Sequence, residues 1–449
     1  MFFQSITYNR TSGICILLCF MLLFMKVDKV FYILCFTAIL TTVAVFDLNE
    51  NSILLFHLVF LILLIKYIVL IIHKEKMLLY TARIFVPFLI WCMASIPFSL
   101  FYSDIVVMNI DSIYKYVRFN HQQITQFLYL LIGILTCYIC NSLLSVGKIK
   151  PKKMIDIMDM SYITALCLAL LQLVLPVSVC RELFRNSVHA GYHSKVRISG
   201  PFGEPSFWAL VCTPFFCGYL YRFVRGFQIK YLFFCMLFVI VLFNNRSSSA
   251  FLGGWVGILS ILFLGFYAKK RKTNGKRILL SFIILFFLML FLRLYQDKII
   301  NLFLNTLSKL KGEGISGSER SYSFRYHLNI FLSHPTIFLF GIGYGTVRSL
   351  DLFSTWACEV GIVGLVLYLI PMIYLCWKLL KLKTETANQL LVMIIVYNII
   401  LFVATCEIYF LQIWMIYGIA FFMISKNKRP YVRRIDNSYD SKQKRSWTR

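Results

Sequence analysis

The sequence predicts an all-α, polytopic integral membrane protein with about 12–14 transmembrane helices and one long outer loop carrying short helices. Three observations predict it. First, 59% of the 449 residues are apolar or aromatic and only 14% are charged, whereas a water-soluble domain carries about 25% charged residues. So few polar groups cannot cover a globular surface, and lipid is the solvent that suits such side chains. Second, apolar runs approaching the length of a spanning helix, about 20 residues, recur from one end of the chain to the other. Third, Lys and Arg gather in short clusters between those runs, which is the positive-inside pattern.

In chain order the runs are 11–25, 30–46, 52–72, 83–101, 124–144, 160–179, 207–221, 231–243, 250–267, 278–295, 355–380, 390–406 and 408–424. They form a single membrane domain over 1–449. The first run lacks a small-residue cleavage site and a second follows at once, so no cleavable signal peptide is expected. One basic cluster holds Lys148, Lys150, Lys152 and Lys153. A second holds Lys269, Lys270, Arg271, Lys272, Lys276 and Arg277. The tail 425–449 has nine Lys and Arg against two Asp. These clusters place the loops 145–158, 222–230, 268–277 and 381–388, and the basic tail, in the cytoplasm. The loops 180–206, 244–249 and 296–354 then face outward. The long extracytoplasmic loop 296–354 is irregular over 309–323, with an amphipathic surface helix at 324–332. Segment 102–123 has similar character.

The formal net charge of +27 raises the question of nucleic acid, but its division among loops between spans suits anionic lipid head groups instead. No nucleic-acid partner is expected. The 14 cysteines lie mostly inside apolar runs and lack paired spacing in polar loops, so neither a disulfide framework nor a zinc site is predicted. No carboxylate pair or His-x-x-x-His in an outer loop supports a metal site.

Three polar constellations interrupt the pattern at the outer face. The first is Arg197-Ile-Ser-Gly200-Pro-Phe-Gly203-Glu204-Pro205-Ser206. Its Gly and Pro residues force tight turns. Glu204 either caps the next helix, with Pro205 at the favoured first position, or sits beside Arg197 as a proton acceptor, the guanidinium gripping phosphate bidentately. The second is Asn244-Asn245-Arg246-Ser247-Ser248-Ser249, a short outer turn. Its arginine either snorkels or lines a wet cavity. The third runs from Arg325 to His334-Pro335, through Gly341-Ile-Gly343-Tyr344-Gly345, to Glu359-Val-Gly361-Ile-Val-Gly364. Alternate glycines allow close backbone approach and expose amides to an anion, while Gly361 and Gly364 also fit close helix packing. No strand precedes the glycines, so they are not a dinucleotide fingerprint.

In order and topology these constellations resemble the O-antigen polymerase and ligase superfamily, over roughly residues 190–370. The resemblance implies a membrane glycosyltransferase without metal or cofactor. It implies undecaprenyl-pyrophosphate-linked oligosaccharides as donor and acceptor at the outer face of the bacterial cytoplasmic membrane. Membrane lipids and a chain-length regulator protein are the further partners implied. By this resemblance Glu204 and Arg325 serve catalysis, and Arg197, Gly200, Arg246, His334, Gly341, Gly343 and Gly345 bind substrate. The product would be O-antigen, capsule or exopolysaccharide. Polymerase is favoured over ligase, because the ligases carry a histidine after the glycine cluster and 346–356 has none. A flippase or other transporter is the rival from a different class. It would favour charges within several helices and two similar halves.

Overall fold

The computed structural model describes residues 6–8, 12–48, 51–73, 82–108, 114–176, 178–179, 197–267 and 315–428, with single positions at 300, 304, 308 and 311. The run 278–295, the cluster 268–277 and the tail beyond 428 lie outside the described residues, as does most of 296–314.

The described chain is mostly helical. The helices are α1 (Ser12–Phe24), α2 (Val27–Thr37), α3 (Leu55–Ile72), α4 (Val86–Ser95), α5 (His121–Val146), α6 (Pro151–Val174) and α7 (Pro205–Gly226). They continue with α8 (Ile229–Asn245), α9 (Ser248–Tyr267), α10 (Ile315–Ser333), α11 (Pro335–Phe340), α12 (Leu352–Leu382), α13 (Glu385–Ala404) and α14 (Leu411–Lys428). Among the described residues, 8 helical stretches are long and apolar enough to cross a membrane, and α1, α8 and most of α14 are shorter apolar helices. This is a multi-pass membrane protein, built from fewer full-length spans among the described residues than the expected 12–14.

The membrane helices bury against one another through a continuous apolar core that includes Trp208, Trp356 and Trp414. Helix α5 packs along α14, α7 lies against α9 and α13, and α12 lies against α13. Many lipid-compatible side chains on the rim stay exposed, among them Ile14, Phe24, Ile72, Ile229 and Ile373. In lipid that exposure is no liability, since the surrounding acyl chains are as apolar as the side chains.

Two readings of the sequence are corrected. The run 30–46 is not one spanning helix: α2 stops at Thr37, and β2 (Ala44–Leu48) follows. β2 pairs antiparallel with β1 (Ile6–Tyr8) on one side and β3 (Asn51–Leu54) on the other. A short apolar run rich in β-branched residues does not distinguish strand from helix by periodicity. Segment 309–323 is helical from Ile315 onward, so the surface helix expected at 324–332 is the second half of α10. A second small hairpin, β4 (Val106–Met108) with β5 (Tyr114–Tyr116), lies in the 102–123 segment. Tyr326 of α10 donates to the Val106 carbonyl at 2.9 Å, tying that hairpin to α10.

The glycine cluster makes the joint between α11 and α12. Ile342 N–H donates to Cys358 O and Gly343 N–H to Glu359 O, each at 2.9 Å. Helix α12 breaks at Gly361, whose φ of 65° and ψ of −172° are not helical. Gly341, at φ 78°, lies against the Glu359–Val360 backbone, and Gly361 lies against Leu339–Phe340. A Cβ at either position would collide with main chain. Gly341→Ala should therefore destabilise the protein by at least about 2 kcal/mol. The apparent Tm in detergent should fall clearly, and an unchanged Tm would contradict this account of the joint.

Candidate functional site

The turn at 197–204 is held from three sides. Gln172 Oε1 on α6 accepts the Ser199 and Gly200 amides at 3.0 and 2.9 Å. Thr41 and Thr42 donate to the Pro201 carbonyl at 3.0 and 3.2 Å. Asn245, the buried last residue of α8, donates through Nδ2 to Ile198 O. Gly200 sits at φ 61°, and a Cβ there would come within 3.0 Å of the Ala169 backbone nitrogen. Only glycine allows the turn to lie this close to α6.

This anchoring carries Arg197 next to the α8–α9 turn, where its Nε donates to Asn245 O at 3.5 Å. Arg246 ends α8 in the left-handed region at φ 53°, a conformation that a non-glycine residue holds at a cost. Its side chain is exposed. Arg197 feels Glu204 as an attraction and Arg246 as a repulsion, so the first two constellations do come together. Glu204 begins α7 with Pro205 in the first turn, as expected, but its carboxylate does not cap the helix. It accepts a 3.0 Å hydrogen bond from Ser206 Oγ and remains part-exposed.

Helix α10, on which the third constellation begins, contributes a different arginine. On α10, Arg320 and Arg325 are five residues apart, or about 140° around the helix. Arg320 turns inward and donates through Nη1 to Ala404 O at 2.8 Å and Leu350 O at 3.2 Å. Burial lowers its pKa. Asp351 and Glu204 oppose that shift, and Arg197 reinforces it. Arg320 thus shares one electrostatic neighbourhood with Arg197 and Glu204. Arg325, expected to serve catalysis, is exposed, and no described residue bonds to it.

His334 begins α11, and its ring faces Thr336 Oγ1 at 3.0 Å. Thr336 in turn bonds Tyr102, so His334 belongs to the α11 surface rather than to the Arg197 turn. The amides of Gly341 and Gly343 are spent on Ile337 O and Glu359 O, and Gly345 lies 2.6 Å, measured from a hypothetical Cβ, from the Gln123 Cα. These glycines are needed for backbone packing. The expectation that they expose amides to an anion is corrected: the Gly345 amide, too, is taken, by the Glu359 carboxylate.

Beside the turn is a polar cavity of about 220 Å³. His57, Tyr129, Tyr409 and Phe207 contribute aromatic walls, with successive ring centroids 5.6, 5.6 and 6.4 Å apart. Gln122, Gln126 and His121 from the first turns of α5 add polar groups, and Gly203 borders the 197–204 turn. Across the cavity Arg348 pairs with Glu407, Nη2 to Oε1 at 2.7 Å. That pairing raises the Arg348 pKa despite its burial. Glu359, which the sequence had singled out, is buried nearby and accepts the Val347 amide at 2.9 Å.

Behind Arg320 runs a buried polar chain. Ser323 Oγ meets His327 Nδ1 at 3.4 Å and Ser349 Oγ at 2.9 Å. Ser354 then bridges Ser349 and the Asp351 carboxylate. Burial holds the His327 imidazole at about 4, below its ordinary 6.5. The folded state therefore disfavours the charged ring. The associated stability is full above pH 6.5 and is lost as pH falls toward 4, a difference of about 3 kcal/mol. The apparent Tm should drop over that window, and His327→Gln should remove most of the drop. Equal pH profiles for the two proteins would contradict this.

Arg320, Arg348, Glu407 and His327 were not singled out from the sequence. The signal for Glu407 was present: it is the single residue dividing two apolar runs, 390–406 and 408–424, and a carboxylate at that depth is costly unless partnered. No protein-family model matches the chain, and no curated protein matches it. Among the described residues no group of three or more His, Cys, Asp or Glu is placed to hold a metal ion.

Proposed function

We propose that this protein is a polysaccharide polymerase that joins lipid-linked oligosaccharide repeat units at the outer face of the bacterial cytoplasmic membrane. The observation that carries this reading is the placing of Arg197 and Arg320 in the electrostatic neighbourhood of Glu204, with Arg246 beside Arg197, next to a cavity with aromatic and amide walls. Guanidinium groups suit the pyrophosphate of a lipid carrier. Negative charge grows on that group as it leaves, so cations aimed at it lower the transition state more than the ground state. Glu204, held by Ser206 and facing cationic neighbours, is the group suited to accept the proton of the attacking hydroxyl. Aromatic faces and amides are the partners a sugar ring uses, so the cavity beside Glu204 suits the acceptor saccharide. Arg320 takes the role first expected of Arg325.

Deletion of the gene tests the reading. Loss of a polymerase should leave single repeat units on the surface, seen as the collapse of a ladder on a polysaccharide gel. Loss of a ligase would instead strand long chains on the carrier lipid, and loss of a flippase would leave repeat units on the inner leaflet.

A further inference from the structure

A second cavity, of about 730 Å³, opens at the opposite end of the helices. It lies between the start of α6, the end of α7, the start of α8, the α12–α13 turn and the end of α14. By the charge pattern this is the cytoplasmic face. Its volume is in the range of small-molecule sites, about 300–1,000 Å³. The outer chemistry proposed above makes no use of it.

Its lining has two characters. Lys152, Arg222, Lys230 and Lys426 supply four cations, and Asp156 and Asp159 supply two carboxylates. Ile155, Leu382, Ile419, Phe422 and Met423 supply an apolar wall. Two of the cations have partners. Lys230 pairs with the buried Asp159 at 3.1 Å, and Tyr219, also buried, donates to the same carboxylate. Arg222 donates to Tyr231 Oη at 2.6 Å and lies 5.5 Å from the centre of that ring. Lys152 and Lys426 reach the cavity from α6 and α14. Both are exposed, and neither bonds to a described residue.

We infer that this cavity binds a phosphate-bearing anion, with the anionic head group of an inner-leaflet phospholipid as its source. Basic pockets between helices on the cytoplasmic side are suited to such head groups. Ordinary positive-inside lysines need no cavity and no buried carboxylate to orient them. Here Asp159 and Tyr231 hold two cations in place, two further lysines bond to no described residue, and the adjoining apolar wall can cover the first carbons of an acyl chain. An inorganic anion would use the cations alone, whereas a lipid would use both parts of the lining.

The experiment uses the full-length protein purified in detergent. Binding of dioctanoyl phosphatidylglycerol, dioctanoyl phosphatidylcholine and inorganic phosphate is measured by calorimetric titration. Saturable binding of phosphatidylglycerol is expected, weakened about tenfold or more by Lys152→Gln with Lys426→Gln. Lys153→Gln, next in sequence but not lining the cavity, should bind as wild type. Tighter binding of phosphatidylglycerol than of inorganic phosphate supports the lipid source. Equal affinity supports the same phosphate site with a soluble anion as its source. Equal binding of phosphatidylglycerol and phosphatidylcholine, or a double variant that binds as wild type, would overturn the proposal. All substituted side chains are exposed, so each variant should fold, and an unchanged apparent Tm checks that it does.

Discussion

Replacing Arg197 by alanine is expected to slow chain growth by about 10²–10³-fold, the range for removing one preorganised group from a developing anion. The protein should still fold. The side chain is exposed, and the one hydrogen bond it gives among the described residues is a long one, 3.5 Å, to the Asn245 carbonyl. Arg197→Lys should recover part of the activity, because it keeps the charge and loses the planar fork. Arg325→Ala should leave chain length unchanged, since Arg325 is exposed and lies about 140° around α10 from the inward-facing Arg320. The readout is polysaccharide length on gels at matched protein abundance. A normal length distribution for Arg197→Ala would remove it from the site.

The Arg348–Glu407 pair should show the next largest effect, and an asymmetric one. Glu407 keeps 6% of its side-chain exposure and Arg348 keeps 37%. Arg348→Ala leaves a carboxylate buried without its cation and should cost about 3 kcal/mol. Glu407→Ala leaves a guanidinium that can still reach water, and should cost about 1 kcal/mol. The double variant should be more stable than Arg348→Ala alone, since residues in one pair are not additive. Thermal unfolding of the purified variants in detergent checks the order. Equal losses for the two single variants would show that the pair is not held as described.

Much of the scaffold was legible because lipid imposes a simple rule: a backbone without water must satisfy its own hydrogen bonds, and long apolar runs do so as helices. The runs at 52–72, 124–144, 207–221 and 355–380 each fall within or close to a helix. The run at 30–46 misled because apolarity says nothing about whether Val43 to Phe46 pair within a helix or across strands. In the candidate site, Arg197, Arg246 and Glu204 were legible because they stand at abrupt breaks between apolar runs. Arg320 was not, because 309–323 has no apolar period, and its inward face is set by contacts with Leu350 and Ala404, which are distant in sequence. Sequence spacing alone cannot say which of two arginines five residues apart faces inward. The glycine cluster was conspicuous for a different reason than expected. Gly341 and Gly361 serve each other's backbones, a pairing that becomes visible only once α11 and α12 are in contact.

The most direct test is reconstitution. The purified full-length protein in vesicles is given one defined lipid-pyrophosphate-linked repeat unit and no nucleotide sugar. The account predicts products of two and more repeat units, with release of lipid pyrophosphate and with loss of both on Arg197→Ala. Unchanged repeat units after prolonged incubation, from protein that is folded by its thermal transition, would contradict it.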